Sequence, residues 1–455
     1  MVFNEYIKCD VCGCITRIRL QVGWLDEHPI VVTCGKCGIS LRGKVFIGQK
    51  ETKLVFDFEN AKVTTIEPSA CCDYVVECSG EFTTLKISQD YGIQGGALSP
   101  FMRYMNKTNT DNYEKFGNSI AVLKRTLKDW PKYNRILQLN KDGNSEYLIQ
   151  EIKKIFPEEY IQCRNELEIL RAVRMVEVRC LLAPLKPEII NLPQIGTSIF
   201  KLNKEQIFQL IDYLNSNDGY SLEQIQEQIN QLINDFVIIY PYLIPAFSLQ
   251  FCKEEGIDFE TEGTTTSAYK DVKQFYLDTY ETLANLLIIP LALDNIKTRN
   301  DFKMFRDNDS KIDSIDKFVS SNKATRFHLY NTDEIYVRTL NVKYNQKLRN
   351  AIGHHDVEYD NLTQVIIYSP DHRNRSKKEK EYLLEFEIEA LSMFQSILVV
   401  SEYLYRLREL QLIRNGAIPL PSELPVKLRN NKKIYPNDKC PCGSGLKYKK
   451  CHGNI

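Results

Sequence analysis

Cysteine crowds both ends of this 455-residue chain: Cys9, Cys12, Cys14, Cys34 and Cys37 at one, Cys440, Cys442 and Cys451 at the other, with Cys71, Cys72 and Cys78 between. Fourteen cysteines in 455 residues are too dilute for a disulfide-built mini-protein, so the clustering is a metal pattern. Cys9-x2-Cys12 and Cys34-x2-Cys37 have ribbon spacing, with Gly13, Gly35 and Gly38 at the turns. The alternating runs TRIRLQV, PIVVTC and GKVFIG supply the hairpins. Four thiolates close a zinc site and leave no open position for chemistry, which predicts a structural ion replacing a core too small to fold alone. Contact of this ribbon with nucleic acid stays open. Cys14 in place of Cys12 would leave an unusual spacing from Cys9 and is left out. Cys71, Cys72 and Cys78 lack a clear fourth ligand and read as buried thiols.

The chain ends in CPCGSGLKYKKCHG, where Cys440, Cys442, Cys451 and His452 supply the sulfur and nitrogen donors that tetrahedral zinc takes. Gly443 and Gly445 allow the tight turn between the halves. This piece resembles the SEC-C zinc motif over essentially its full length, with His452 in the fourth ligand place. Arg429, Lys432, Lys433, Lys447, Lys449 and Lys450 surround it against the single acid Asp438. Such a basic knuckle is either a structural cap or a docking module for RNA, the ribosome or another protein. With the ribbon, it predicts about two structural zinc ions per chain.

Composition limits the rest. Lys plus Arg number 59 and Asp plus Glu 59, so any nucleic-acid face must be local. The start, MVFNEYIKCDVCGC, lacks the basic, apolar and small-residue order of a secretory signal, which predicts a cytoplasmic protein. The apolar run FVIIYPYLIPAFSL, Phe236 to Leu249, is short for a bilayer and holds Pro241 and Pro245. It reads as a buried connection between helices in a soluble chain without a membrane partner. The expected organisation is a zinc ribbon over 1–60, a mixed then helical adaptor over 61–260 and a helical domain over 265–412, followed by a linker over 413–438 and the zinc knuckle over 439–455. Helical periodicity begins near residue 146, and Ser221 with Gln224 forms a cap signature. The fold class is mainly α, with a small β ribbon at one end and a zinc knuckle at the other.

One further motif sits in QKLRNAIGHHD, where Arg349 precedes His354 by five positions, Asn350 follows the arginine and His355 follows the histidine. Residues five apart lie about 140° apart on a helix, so they converge only near its end or across to a partner chain. An exposed helix terminus with basic residues has the same appearance. In its helical frame the motif resembles that of the HEPN superfamily, with Arg349, Asn350 and His354 matching over a region of about 265–412. The resemblance implies a helical bundle and a metal-independent endoribonuclease, a toxin or antiviral effector whose site forms in a homodimer. Arg349 would clamp the scissile phosphate, Asn350 orient it and His354 relay the proton of the 2′-hydroxyl. The run Arg373, Arg375, Lys377 and Lys378 would flank an RNA path or simply face solvent. The rival expectations are a non-catalytic RNA- or protein-binding adaptor and, from the SEC-C resemblance, a secretion- or chaperone-linked adaptor. The chain contains no GxxxxGK[ST] loop, no GxGxxG and no HExxH, which argues against an ATPase, a dinucleotide enzyme and a zincin.

Overall fold

The computed structural model describes residues 1–47, 54–65, 72–86, 98–156, 162–187, 189, 191–253, 256–305, 312–330, 334–371, 373–419, 435–439 and 446–450. The chain forms two compact units, each drawn from three segments. The first unit takes Met1–Lys124, Asp235–Tyr280 and Val342–Phe394; the second takes Arg125–Asn234, Glu281–Asn341 and Gln395–Ile455.

The first unit begins with seven strands: β1 (Val2–Cys9), β2 (Ile15–Gln21), β3 (Glu27–Thr33), β4 (Ser40–Ile47), β5 (Leu54–Glu59), β6 (Ala61–Val63) and β7 (Tyr74–Ser79). They make one sheet in the order β6-β1-β2-β7 and another in the order β3-β4-β5. Alternation of burial follows from the period of two: in β2, Thr16, Ile18 and Leu20 are buried while Ile15, Arg17 and Arg19 are partly exposed. The inward residues Ile7, Ile18, Leu20, Ile30, Val32, Leu41, Val45 and Val76 form one core with Cys9, Cys14 and Cys34. β2 and β7 run parallel, Thr16 against Tyr74 to Gln21 against Ser79, a pairing between distant segments that alternation alone does not reveal.

Two helices follow, Pro100–Lys107 and Thr110–Lys141, both starting before residue 146, where helical periodicity first reads clearly. Trp24 lies 5.4 Å from the Tyr113 ring and 6.2 Å from Phe82, so the ribbon and these helices share an aromatic core.

The Thr-rich stretch after β9 (Glu262–Gly263), which pairs with β8 (Thr84–Leu85), is a buried loop leading into the helix Tyr269–Leu286. Thr264 to Ser267 are all at most 5% exposed, which their polar atoms tolerate because partners are supplied. The Thr265 carbonyl accepts from the Val31 amide at 2.7 Å, Gln364 bonds both the amide and the carbonyl of Thr264, and Thr266 Oγ1 donates to the Tyr242 carbonyl at 2.6 Å.

Leu222–Ser248 is one continuous helix with Pro241 and Pro245 inside it, so the apolar run is not a break between helices. The helix is long and apolar enough to cross a membrane by length and composition, and 67% of its most apolar stretch is buried within the structure. Its start is the predicted capping box: the Gln224 amide donates to Ser221 Oγ at 3.2 Å, and the Ser221 amide to Gln224 Oε1 at 3.3 Å.

Residues 265–412 do not make a single helical bundle. They are divided between both units. They also contain the sheet β10 (Val357–Asp360), β11 (Val365–Tyr368) and β12 (Glu379–Tyr382), placed before the helix Leu383–Arg414. In the second unit, Arg174 is buried with Glu177 and Glu402. It donates to Glu177 Oε2 at 2.5 Å, Glu402 Oε2 at 3.1 Å and Ser401 Oγ at 2.6 Å, a network that compensates the cost of burying three charges.

Candidate metal centre and docking tail

The two ribbon knuckles repeat the same backbone geometry. The Cys9 amide donates to the Cys14 carbonyl at 2.9 Å and the Gly13 amide to the Cys9 carbonyl at 3.0 Å; the Cys34 amide donates to Ile39 at 2.9 Å and the Gly38 amide to Cys34 at 2.9 Å. Gly13 and Gly38 hold φ of +68° and +76°, where a side chain would be strained. Gly35 serves differently: a Cβ there would stand 2.5 Å from the Tyr74 ring, which packs onto the second knuckle.

These turns aim Cys9, Cys12, Cys34 and Cys37 at one point, with all four sulfurs within 4.8 Å of one another. Cys9 Sγ is 3.8 Å from Cys37 Sγ, and Cys12 Sγ is 3.6 Å from Cys34 Sγ. Tetrahedral Zn–S bonds of about 2.3 Å require sulfurs about 3.8 Å apart, whereas a disulfide requires about 2.05 Å. The spacing fits a zinc ion and excludes disulfide pairing. The Cys14 amide holds the Cys12 thiol down to about 7. The Ile39 amide favours the Cys37 thiolate as well, yet desolvation and the neighbouring thiols push Cys37 up to about 12. Four thiolates this close are a set that needs a cation between them. The site is a closed, structural metal-binding site. Cys14 is buried beside it, and burial, then Asp73, pushes its thiol up to about 11. Cys78 is fully buried, Cys72 half-buried, and Cys71 lies outside the described residues.

At the other end Cys440, Cys442, Cys451 and His452 lie outside the described residues. The arms beside them are described. Lys439 and Lys447 form an antiparallel bridge, the Tyr448 amide donates to the Asp438 carbonyl at 2.7 Å, and the Lys449 amide to Pro436 at 2.9 Å.

Arg349 and Asn350 sit on the helix Gln346–Gly353, with Arg349 donating to Asn350 Oδ1 at 3.3 Å and its guanidinium 5.6 Å from the centre of the Tyr280 ring. His354 is the residue after the helix and is exposed, as is His355, whose φ is +58°. The structure thus places Arg349, Asn350 and His354 together at one helix end. Arg375 pairs with Asp356 at 2.9 Å, Lys377 with Glu379 at 3.7 Å and Lys378 with Glu358 at 3.3 Å, so that run is a mixed-charge surface.

Sequence reading missed a group of acids with displaced titration. Burial pushes Glu81 up to about 7 against the pull of the Leu25 and Trp24 amides, and pushes Glu387 up to about 8 although Ser267 opposes it. Glu381 and Glu389 are raised first by burial and then by neighbouring carboxyls. Spacing gave no sign of them, because acids are ordinarily exposed and their burial is decided by tertiary packing.

Residues 437–454 match the SEC-C motif. Protein translocase subunit SecA of Elusimicrobium minutum is 33% identical over 126 residues, covering 23% of this chain and 14% of that protein. SecA of Ehrlichia ruminantium is 31% identical over 163 residues, 31% of this chain and 18% of that protein, and SecA of Anaplasma marginale is 23% identical over 256 residues, 55% and 27%. The chain thus spans between 14% and 27% of the length of these relatives. No solved structure matches. These similarities overturn the HEPN expectation: the relatives are translocase subunits, so a HEPN bundle, an endoribonuclease, a toxin or antiviral effector, an RNA substrate and the homodimeric composite site that served cleavage are all withdrawn. The architecture is mainly helical with an N-terminal β region.

Proposed function

We propose that this chain is a zinc-stabilised accessory protein of cytoplasmic protein translocation, docking onto the translocation machinery through its C-terminal SEC-C knuckle. The observation that carries this reading is the SEC-C match over residues 437–454, flanked by paired, lysine-bearing arms. Cys440, Cys442, Cys451 and His452 hold a second zinc, whose role is to fix the shape of the docking surface, while the ribbon zinc holds the first unit together. The ATP-driven work belongs to the partner, since these residues carry no GxxxxGK[ST] loop. A second reading, ATP-driven translocation by this chain itself, rests on the name of its relatives and requires nucleotide turnover by the purified protein.

The test is binding of the purified full chain to membrane vesicles bearing a protein translocase, with and without Cys442→Ser. The docking reading expects wild-type binding, at least about tenfold weaker binding by the variant, and no ATP hydrolysis by the chain alone. Equal binding by both proteins would remove the knuckle from the function, and ATP turnover would transfer the case to the second reading.

A further inference from the structure

In the first unit, Asn345 caps the helix Gln346–Gly353 and uses each of its side-chain polar atoms in doing so. Its Oδ1 accepts from the Leu348 amide at 3.0 Å, and its Nδ2 donates to Glu381 Oε2 at 2.5 Å and to the Tyr368 hydroxyl at 3.0 Å. Its carbonyl accepts from the Arg349 amide at 3.0 Å and lies 3.2 Å from the Tyr276 hydroxyl. That hydroxyl is also 3.0 Å from Glu389 Oε2. A phenol carries one hydrogen, so it cannot donate to a carbonyl and a carboxylate together. The chain of bonds closes when Glu389 donates to the Tyr276 oxygen and Tyr276 donates to the Asn345 carbonyl.

We propose that Glu389 is held as a carboxylic acid in the folded protein, and that its proton latches the helix Gln346–Gly353 in place through Tyr276 and Asn345. Tyr276, Asn345 and Glu389 are positioning residues, and the latch is independent of the docking reading. The groups facing Glu389 come from three elements: Tyr276 on the helix Tyr269–Leu286, Glu381 on β12 and Glu385 beside it in sequence. Beyond Tyr368 lie Glu379, 3.3 Å from its hydroxyl, and Lys347, which pairs with Glu379 at 3.0 Å. Burial is the largest cause favouring the acid form of Glu389, and Glu381 and Glu385 act in the same direction, against Tyr276 and the Asn345 amide.

The sign follows by linkage. A carboxyl whose folded pKa is raised contributes its stabilisation fully below its unfolded value and loses it as the pH rises through the folded one. Opening of the helix should therefore become easier with rising pH, by up to about tenfold per pH unit. The experiment is hydrogen exchange of the full chain over peptides spanning residues 346–353, from pH 6 to pH 9, corrected for the intrinsic rate. Wild type should lose protection by up to about tenfold per unit. Glu389→Gln keeps a donor without a titrating proton, and should lose the one-proton share of the slope, up to about tenfold per unit, leaving only the decline that Glu381, Glu81 and Glu387 contribute. Tyr276→Phe should lower protection at every pH and flatten the slope to that of Glu389→Gln. A Glu389→Gln protein with the wild-type slope would overturn the latch. Should that variant not fold, the carboxyl carbon shift of Glu389 in wild type decides the matter directly: titration in the ordinary carboxylate range overturns the proposal, and titration near neutrality or above supports it.

Discussion

The ribbon and the stretch 346–355 carry motifs of different kinds, one closed by local turns and the other strung along a helix end. Two Cys-x2-Cys pairs come together because each knuckle is a closed local turn, so that only one long-range contact must form for all four sulfurs to meet within 4.8 Å. Arg349 and His354 are joined only by the last turns of the helix Gln346–Gly353, where residues five apart differ by about 140° in direction and no closed turn fixes their separation. A motif whose members are linked by obligatory backbone geometry carries structural weight, and one whose members need an unseen partner carries little.

The comparison breaks most directly by removing ribbon ligands. Cys34→Ser should abolish the metal site and unfold β1 to β7, a loss on the order of 10 kcal/mol of metal-linked folding energy. Limited proteolysis with zinc analysis would show it; a variant with intact, protease-resistant β1 to β7 would contradict it. Glu402→Ala should destabilise the second unit by about 3–5 kcal/mol, because Arg174 is left buried with part of its carboxylate shell gone. Urea denaturation measures this, and a loss under about 1 kcal/mol would mean that the network is solvated.

The pH dependence tests the first unit. Glu81 and Glu387 are both fully buried with raised values, about 7 and about 8, so they bind protons in the folded state that the unfolded chain has released. Their stabilisation is complete below the ordinary carboxyl range and is lost as the pH rises through 7 and 8, on the order of 3 kcal/mol between pH 6 and pH 8. Trp24 lies in the same aromatic core and reports the transition by fluorescence. Stability that rises over this interval would mean that these carboxyls are charged in the fold. Smaller still, Ser221→Ala should cost about 1 kcal/mol through the capping box, and His354→Ala less than about 0.5 kcal/mol in thermal denaturation, because it is exposed. A large effect at His354 would mean that its side chain packs into the fold.

These contrasts mark what the residues themselves disclose. Cysteine spacing gave the ribbon ligand set, and Ser221 and Gln224 gave a helix start. The helix Thr110–Lys141 escaped because it contains Pro131 and its apolar residues are not drawn to one face. Pro241 and Pro245 suggested a break that packing overrides. The parallel pairing of β2 with β7 and the assembly of each unit from three segments join residues far apart in the chain, where local pattern carries no information. The acids with raised titration were hidden for the same reason, since burial is a tertiary property.

The central claim is that the two chain ends divide the labour, with the ribbon zinc holding the fold and the knuckle zinc serving docking. The most direct measurement is vesicle binding recorded alongside zinc content for wild type and Cys442→Ser. The account predicts about two zinc ions in wild type and about one in the variant, with the first unit folded and translocase binding weakened at least about tenfold. A variant that has lost its tail zinc and still binds as wild type does would contradict it.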